Sequence, residues 1–207
     1  ALLKRRIMTQ AKLKFASFAD YLAWSDDPAN FREGRFELVN GELVAVPPES
    51  GVNRTIANRL FFLLISAGVV PLERVHSGQC EVQVPVLRSG DSANRYPDLV
   101  VLRDEHIALT QRRLTITLDM PPPWLVVEVI SPGKRNRERE RIRKLAQYAA
   151  RCIPEYWLVD PEAETVTVLV WENGEYFQSQ TARGNEVISS NEFPELRLTS
   201  DQLFGGG

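Results

Sequence analysis

The sequence predicts a mixed α/β (α+β) domain, a mixed central sheet flanked by helices with a β-hairpin towards each end of the chain. Three observations predict it. Asn40-Gly41 and Asn173-Gly174 each separate two runs of strand-forming residues, and Asn-Gly between such runs is a strong hairpin signal. Short apolar runs at 96–102, 125–130 and 156–159 read as strands, the last two buried. Helical spacing at 53–67 and 137–151 falls between them, and such interleaving places helices on the faces of a sheet.

The elements follow in order. Residues 15–24 read as a short helix with Phe18, Tyr21 and Leu22 on one side, ended by Asp26-Asp27-Pro28. Arg35-Phe36-Glu37-Leu38-Val39 and Glu42-Leu43-Val44-Ala45-Val46 are the strands of the first hairpin, closed by Pro47-Pro48. Ile56, Leu60, Leu63 and Leu64 share one helical face, and Gly68 stops that helix. Residues 81–84 alternate like a strand, and 88–94 read as a polar loop. Asp98 lies near the start of the 96–102 strand, and residues 109–123 form a connection ended by three prolines. After the strand at 125–130, Pro132-Gly133 breaks the chain and a charged helix follows. Ile153-Pro154 leads into Tyr156-Trp157-Leu158-Val159, and the second hairpin comes after it.

A chain of 207 residues can bury its own core. We expect a flexible segment over 1–14, one domain over 15–204 and a flexible tail over 205–207. The start at Ala1, with Met8 downstream, suggests upstream processing or a non-native start. At 43% hydrophobic and 25% charged residues the composition is that of a soluble globular protein. The net charge of -2 does not mark a nucleic-acid binder by itself, and no apolar run is long enough for a membrane. Cys80 and Cys152 have no ligand spacing, which fits a reduced, cytoplasmic setting.

The chemistry centres on Glu128. It is the one carboxylate in an apolar strand, and an ionised acid there costs several kcal/mol or more unless a metal, a paired cation or a raised pKa compensates it. Asp98 is the lone acid of its own apolar strand. Two carboxylates at adjacent strand ends suit a hard cation such as Mg²⁺ or Mn²⁺. The bland alternatives are a turn cap for Asp98 and an arginine partner for Glu128. Glu37, in the first hairpin, is either a third acid of the same site or an exposed acid on a half-buried ribbon.

Residues 134–144 carry seven basic side chains against Glu138 and Glu140, a local charge of +5. Such a helix suits phosphate contacts, although it also reads as a solvated face with a Glu140–Lys144 pair. Ile142, Leu145, Ala149 and Cys152 make the expected buried stripe, which marks Cys152 as core. Tyr148 either orients a water or packs on the sheet. His76 and His106 lack zinc spacing and read as surface or loop histidines. There is no GxSxG elbow, P-loop or GxGxxG.

In order along the chain stand Phe36-Glu37-Leu38-Val39-Asn40-Gly41-Glu42-Leu43, Pro97-Asp98-Leu99-Val100, Val127-Glu128-Val129-Ile130-Ser131-Pro132, Lys144, Tyr148 and Ile153-Pro154-Glu155-Tyr156-Trp157-Leu158-Val159-Asp160-Pro161. This set closely resembles the Uma-type restriction endonuclease family of the PD-(D/E)xK nuclease superfamily, from about Phe15 to Phe204. The resemblance implies a restriction-endonuclease-like fold and a Mg²⁺- or Mn²⁺-dependent endonuclease acting on DNA. It implies Asp98 and Glu128 as metal ligands, the Val129 carbonyl as a further ligand, and Glu37 as an extra acid. The superfamily lysine belongs two residues after the glutamate, where Ile130 stands, and Lys144 of the next helix matches the substitute. Arg135, Arg137, Arg139 and Arg141 are then expected on the phosphate backbone, and a homodimer suits cutting two strands. The competing expectation is a nuclease-like module that binds nucleic acid or protein without cleaving.

Overall fold

The computed structural model describes residues 13–131 and 135–205, and of residues 135–140 the backbone alone. The expected flexible segment at 1–14 therefore lies mostly outside the described residues, as does the end of the tail. Helix α1 (Phe18–Ser25) starts at the Ser17 cap, whose hydroxyl accepts the Asp20 N–H. It packs on the hairpin of β1 (Phe36–Val39) and β2 (Glu42–Ala45) through Phe15, Phe18, Tyr21 and Leu38. Asn40 and Gly41 have φ of 49° and 81°, and a two-residue turn with both φ positive matches the twist of its strands. Asn173 and Gly174 repeat this.

The central sheet has six strands: β3 (Val75–Ser77), β6 (Leu99–Val101), β8 (Leu125–Val129), β9 (Glu155–Asp160), β10 (Thr165–Glu172) and β11 (Glu175–Arg183). Its spatial order is β11-β10-β9-β8-β6-β3, so the Glu128 strand is internal, as its sequence requires. All pairs are antiparallel except β8 with β9, which are joined by the crossover helix α4 (Arg135–Ala150). One face carries α2 (Gly51–Ser66) and α5 (Ser200–Phe204), packed on Leu99, Leu125, Val127 and Trp157. The other face carries α4, through Tyr148 on Val100, Val126 and Tyr156. No described helix is long and apolar enough to cross a membrane.

A small sheet of β5 (Asn94–Arg95), β4 (Glu81–Gln83) and β7 (Thr115–Ile116) sits beside the hairpin. Asn94 joins the two. Its carbonyl accepts the Leu38 N–H at 2.8 Å, and its amide donates to Phe36 O and to buried Glu81 at 2.9 and 2.7 Å. Asn94→Ala leaves three buried polar groups short of a partner and should cost roughly 2–4 kcal/mol, read from urea unfolding.

Two expectations need correction. The connection expected over 109–123 contains β7 and begins on the last residue of a short helix, α3 (Asp104–Leu109). Its His106 is fully buried rather than a surface or loop residue: the ring Nδ1 accepts the Arg103 N–H at 3.0 Å and Nε2 lies 2.9 Å from Pro121 O. On α4, Ile142 is 53% exposed and Cys152 is exposed beyond the helix end, at φ 59°. The expected stripe holds at buried Ala149 and at Leu145, which packs on the core, while Gln147 and Tyr148 of α4 and Arg151 just past its end are buried with polar partners.

Candidate active site

Strand alternation aims both acids at α4. β8 turns Leu125, Val127 and Val129 to the α2 face, and Val126 with Glu128 to the other. β6 likewise sends Leu99 and Val101 to α2 and Val100 to α4, so Asp98, one residue before Leu99, falls on the α4 side. The ladder pairs Leu99 with Val127 and Val100 with Val126, and one further step sets Asp98 opposite Glu128. Both are buried, at 6% and 8% exposure.

The hydrogen bonds of this pair compensate its charge. Glu128 Oε2 accepts from Lys144 Nζ at 2.7 Å, and Oε1 accepts from the Tyr148 hydroxyl at 2.7 Å. Lys144 and Tyr148 are one helical turn apart, so one ridge of α4 serves both oxygens. Lys144 pairs with Glu128, and the Glu140 side chain lies outside the described residues. Tyr148 both bonds and packs, its ring edge-on to Tyr156 at 5.2 Å. Asp98 Oδ2 accepts the Val129 N–H at 2.7 Å. The arginine partner and the simple turn cap both give way to this arrangement.

The electrostatics follow from burial. Desolvation, then the charge of Glu128, raise the Asp98 carboxyl to about 7, although the Val129 N–H and Lys144 oppose this. Burial pulls the Lys144 ammonium down, but Glu128's charge and hydrogen bond outweigh it and the net shift is upward. Burial, and then Glu128, push the Tyr148 phenol well above its usual range, so it is a fixed donor.

Sequence reasoning missed Glu49 and Asn53. The Glu49 charge reaches Asp98 and raises it further. Asn53 is fully buried on α2, and its amide donates to Glu49 at 2.8 Å, the Val129 carbonyl at 3.1 Å and the Ser131 hydroxyl at 2.8 Å. A signal existed: Asn53 lies in helical phase with buried Ile56, Ala57, Leu60 and Leu64, a polar residue on an apolar stripe. Glu37 is not drawn into the acid pair, because Arg95 NH1, at 3.1 Å, and the Ser92 hydroxyl take its carboxylate. Arg95 in turn donates twice to Gln147 of α4, at 3.0 and 2.7 Å. Arg141 is exposed, and the side chains of Arg135, Arg137 and Arg139 lie outside the described residues.

The donor set fits a hard divalent cation. Two opposed carboxylates and a backbone carbonyl offer oxygen donors, and the charge of Glu49 is felt at Asp98. The buried Asn53 Oδ1 finds no hydrogen-bond donor among the described residues. Burial raises Asp98 first and the charges of Glu128 and Glu49 raise it further, and a cation would offset that charge. Among the described residues no three Asp, Glu, His or Cys side chains form a ready-made cage, and Lys144 already neutralises one oxygen of Glu128.

A mixed sheet with two opposed carboxylates at its strand ends and a lysine on the crossover helix defines a nuclease-like α/β domain. Residues 18–201 match the family model Uma2, described as "Putative restriction endonuclease", and the chain belongs to that family. A crystal structure from Anabaena variabilis, described as a "putative nuclease belonging to DUF820", shares the fold at a TM-score of 0.58 and 18% identity, over 91% of this chain and 97% of that one. A stretch of 86 residues, 41% of this chain, is 36% identical to small ribosomal subunit protein uS4A of Symbiobacterium thermophilum. It spans 39% of that protein, well under two thirds of its length.

Proposed function

We propose that the chain is a divalent-cation-dependent endonuclease that hydrolyses phosphodiester bonds of DNA, working in the cytoplasm as a homodimer. The observation that carries this reading is the buried Asp98–Glu128 pair with the Lys144 ammonium bonded to it, in a chain of the restriction endonuclease family. Asp98, Glu128 and the Val129 carbonyl would hold Mg²⁺ or Mn²⁺, with Glu49 as the next acid. Such an ion, when bound, polarises the phosphoryl oxygen and lowers the pKa of a bound water. Lys144 supplies the charge that meets the extra negative charge of a five-coordinate phosphorus. Tyr148 holds Glu128 in place, and Arg95 fixes α4 behind it with Glu37 as its anchor. Arg135, Arg137, Arg139 and Arg141 would take the phosphate backbone.

Plasmid cleavage titrated with Mg²⁺ and Mn²⁺ tests the reading. We expect cation-dependent nicking, lowered at least about a hundredfold by Asp98→Ala. Equal activity in the two proteins would sink the mechanism. One observation favours a binding module instead: both Glu128 oxygens are engaged by Lys144 and Tyr148, and Ile130 stands where the superfamily lysine belongs. That reading expects duplex binding with no cleavage at any cation concentration.

A further inference from the structure

We propose that the loop 85–91 is a nucleic-acid contact beside the acid pair, in which Val86 and Leu87 press on sugars and base edges and Arg88 meets a phosphate. This rests on the phosphodiesterase reading of the site.

The loop backbone is fixed at both ends and in the middle. The Gln147 amide of α4 donates to Pro85 O and to Ser92 O, both at 2.8 Å. Arg143 NH1 donates to Gly90 O at 3.1 Å, while from the hairpin side Asn40 Oδ1 accepts the Gly90 N–H at 3.1 Å. Inside the loop, buried Asp91 accepts the Leu87 and Arg88 N–H groups at 3.2 and 3.1 Å, and faces Arg143 Nε at 3.8 Å. The same helix sets the loop's distance from the site. Arg143 and Gln147 form one ridge of α4, and the next ridge is Lys144 and Tyr148, which hold Glu128.

This locked loop nevertheless turns its two aliphatic side chains outward, Val86 at 55% and Leu87 at 50% exposure. Arg88 beside them is also exposed, and its Nε lies 3.5 Å from Oδ1 of buried Asp91. Two adjacent apolar side chains on a fixed backbone lose little entropy on contact, so the surface is preorganised for a partner. Charge selects the partner. Residues 134–144 sum to +5 in sequence, and remain basic with Lys144 matched by Glu128 and Arg143 facing Asp91, so a second copy of the chain meeting this surface about a two-fold axis would bring two basic segments together. A polyanion is attracted to the same segment, and its sugars and base edges supply the apolar surface that phosphate lacks.

The test uses the full chain in EDTA, with anisotropy of a fluorescent DNA duplex and of its single strand across a salt series. Val86→Ser/Leu87→Ser should weaken binding about tenfold and leave the salt slope unchanged, since apolar contacts release no counterions. Arg88→Ala should reduce that slope by about one. Both changes lie on exposed side chains, and an unshifted thermal midpoint confirms the fold. Wild-type binding with no loss in the double variant overturns the loop assignment and leaves the site reading intact. Loss of self-association in the double variant, seen by light scattering, overturns it in favour of a dimer contact. A wild-type chain that binds neither DNA overturns both readings.

Discussion

Asp98→Asn should make the protein more stable and inactive at once. The unfolded carboxyl ionises near its ordinary value of 3.8, and the folded one at about 7. Between those values the folded state holds a proton that the unfolded state has lost. The contribution of Asp98 to stability therefore falls as the pH rises through that window, and is flat above it. The whole gap corresponds to at most about 4 kcal/mol, at ~1.4 kcal/mol per pH unit, and roughly half is expected once the site relaxes. Asparagine keeps an oxygen for the Val129 N–H and removes the charge. In EDTA, urea unfolding should show a gain of about 2 kcal/mol at pH 8 that shrinks towards pH 5. Saturating Mg²⁺ should narrow the difference by stabilising the wild type alone. A pH-independent difference would mean that the carboxylate is not strained by its surroundings.

The second large effect concerns the ion pair. Lys144→Met removes the ammonium from Glu128 and leaves a carboxylate at 8% exposure with Tyr148 as its remaining donor. Breaking one side of a buried pair costs about 3–5 kcal/mol, and the lower end applies because Tyr148 remains. Glu128→Gln should destabilise less, since the amide can still accept from Tyr148. The double variant should recover most of the loss, giving a coupling energy of about 1–3 kcal/mol. Additive losses would show that Lys144 and Glu128 do not act as a unit. Both single variants should also lose cleavage, so the stability cycle is the readout that separates pairing from chemistry.

Some of this was written in local sequence and some was not. The Asn-Gly turns require positive φ at both positions, and few other residue pairs accept that, so both hairpins were legible. The buried acid in 125–130 was legible because an apolar strand offers no other place for it. The buried face of α4 was legible at Leu145 and Ala149 but not at Ile142 and Cys152, because partners far along the chain bury Gln147, Tyr148 and Arg151 instead. Local sequence leaves Glu37 open between a third acid and an exposed one, the resemblance favours the site, and the guanidinium of Arg95, 58 residues away, holds its carboxylate. Glu49 reached the site through Asn53, which bonds a carbonyl 76 residues away.

By itself the sequence determined the hairpins, the central position of the Glu128 strand, the two lone acids in apolar strands and the basic helix that follows. These depend on φ/ψ preferences and on side-chain period, which act over a few residues. Only the tertiary structure decided that Asp98 stands opposite Glu128, which cation meets Glu128, and that loop 85–91 is fixed to the helix that carries Lys144. Those depend on desolvation and on hydrogen bonds between segments tens of residues apart, and such energies exist only once the sheet and α4 have packed together.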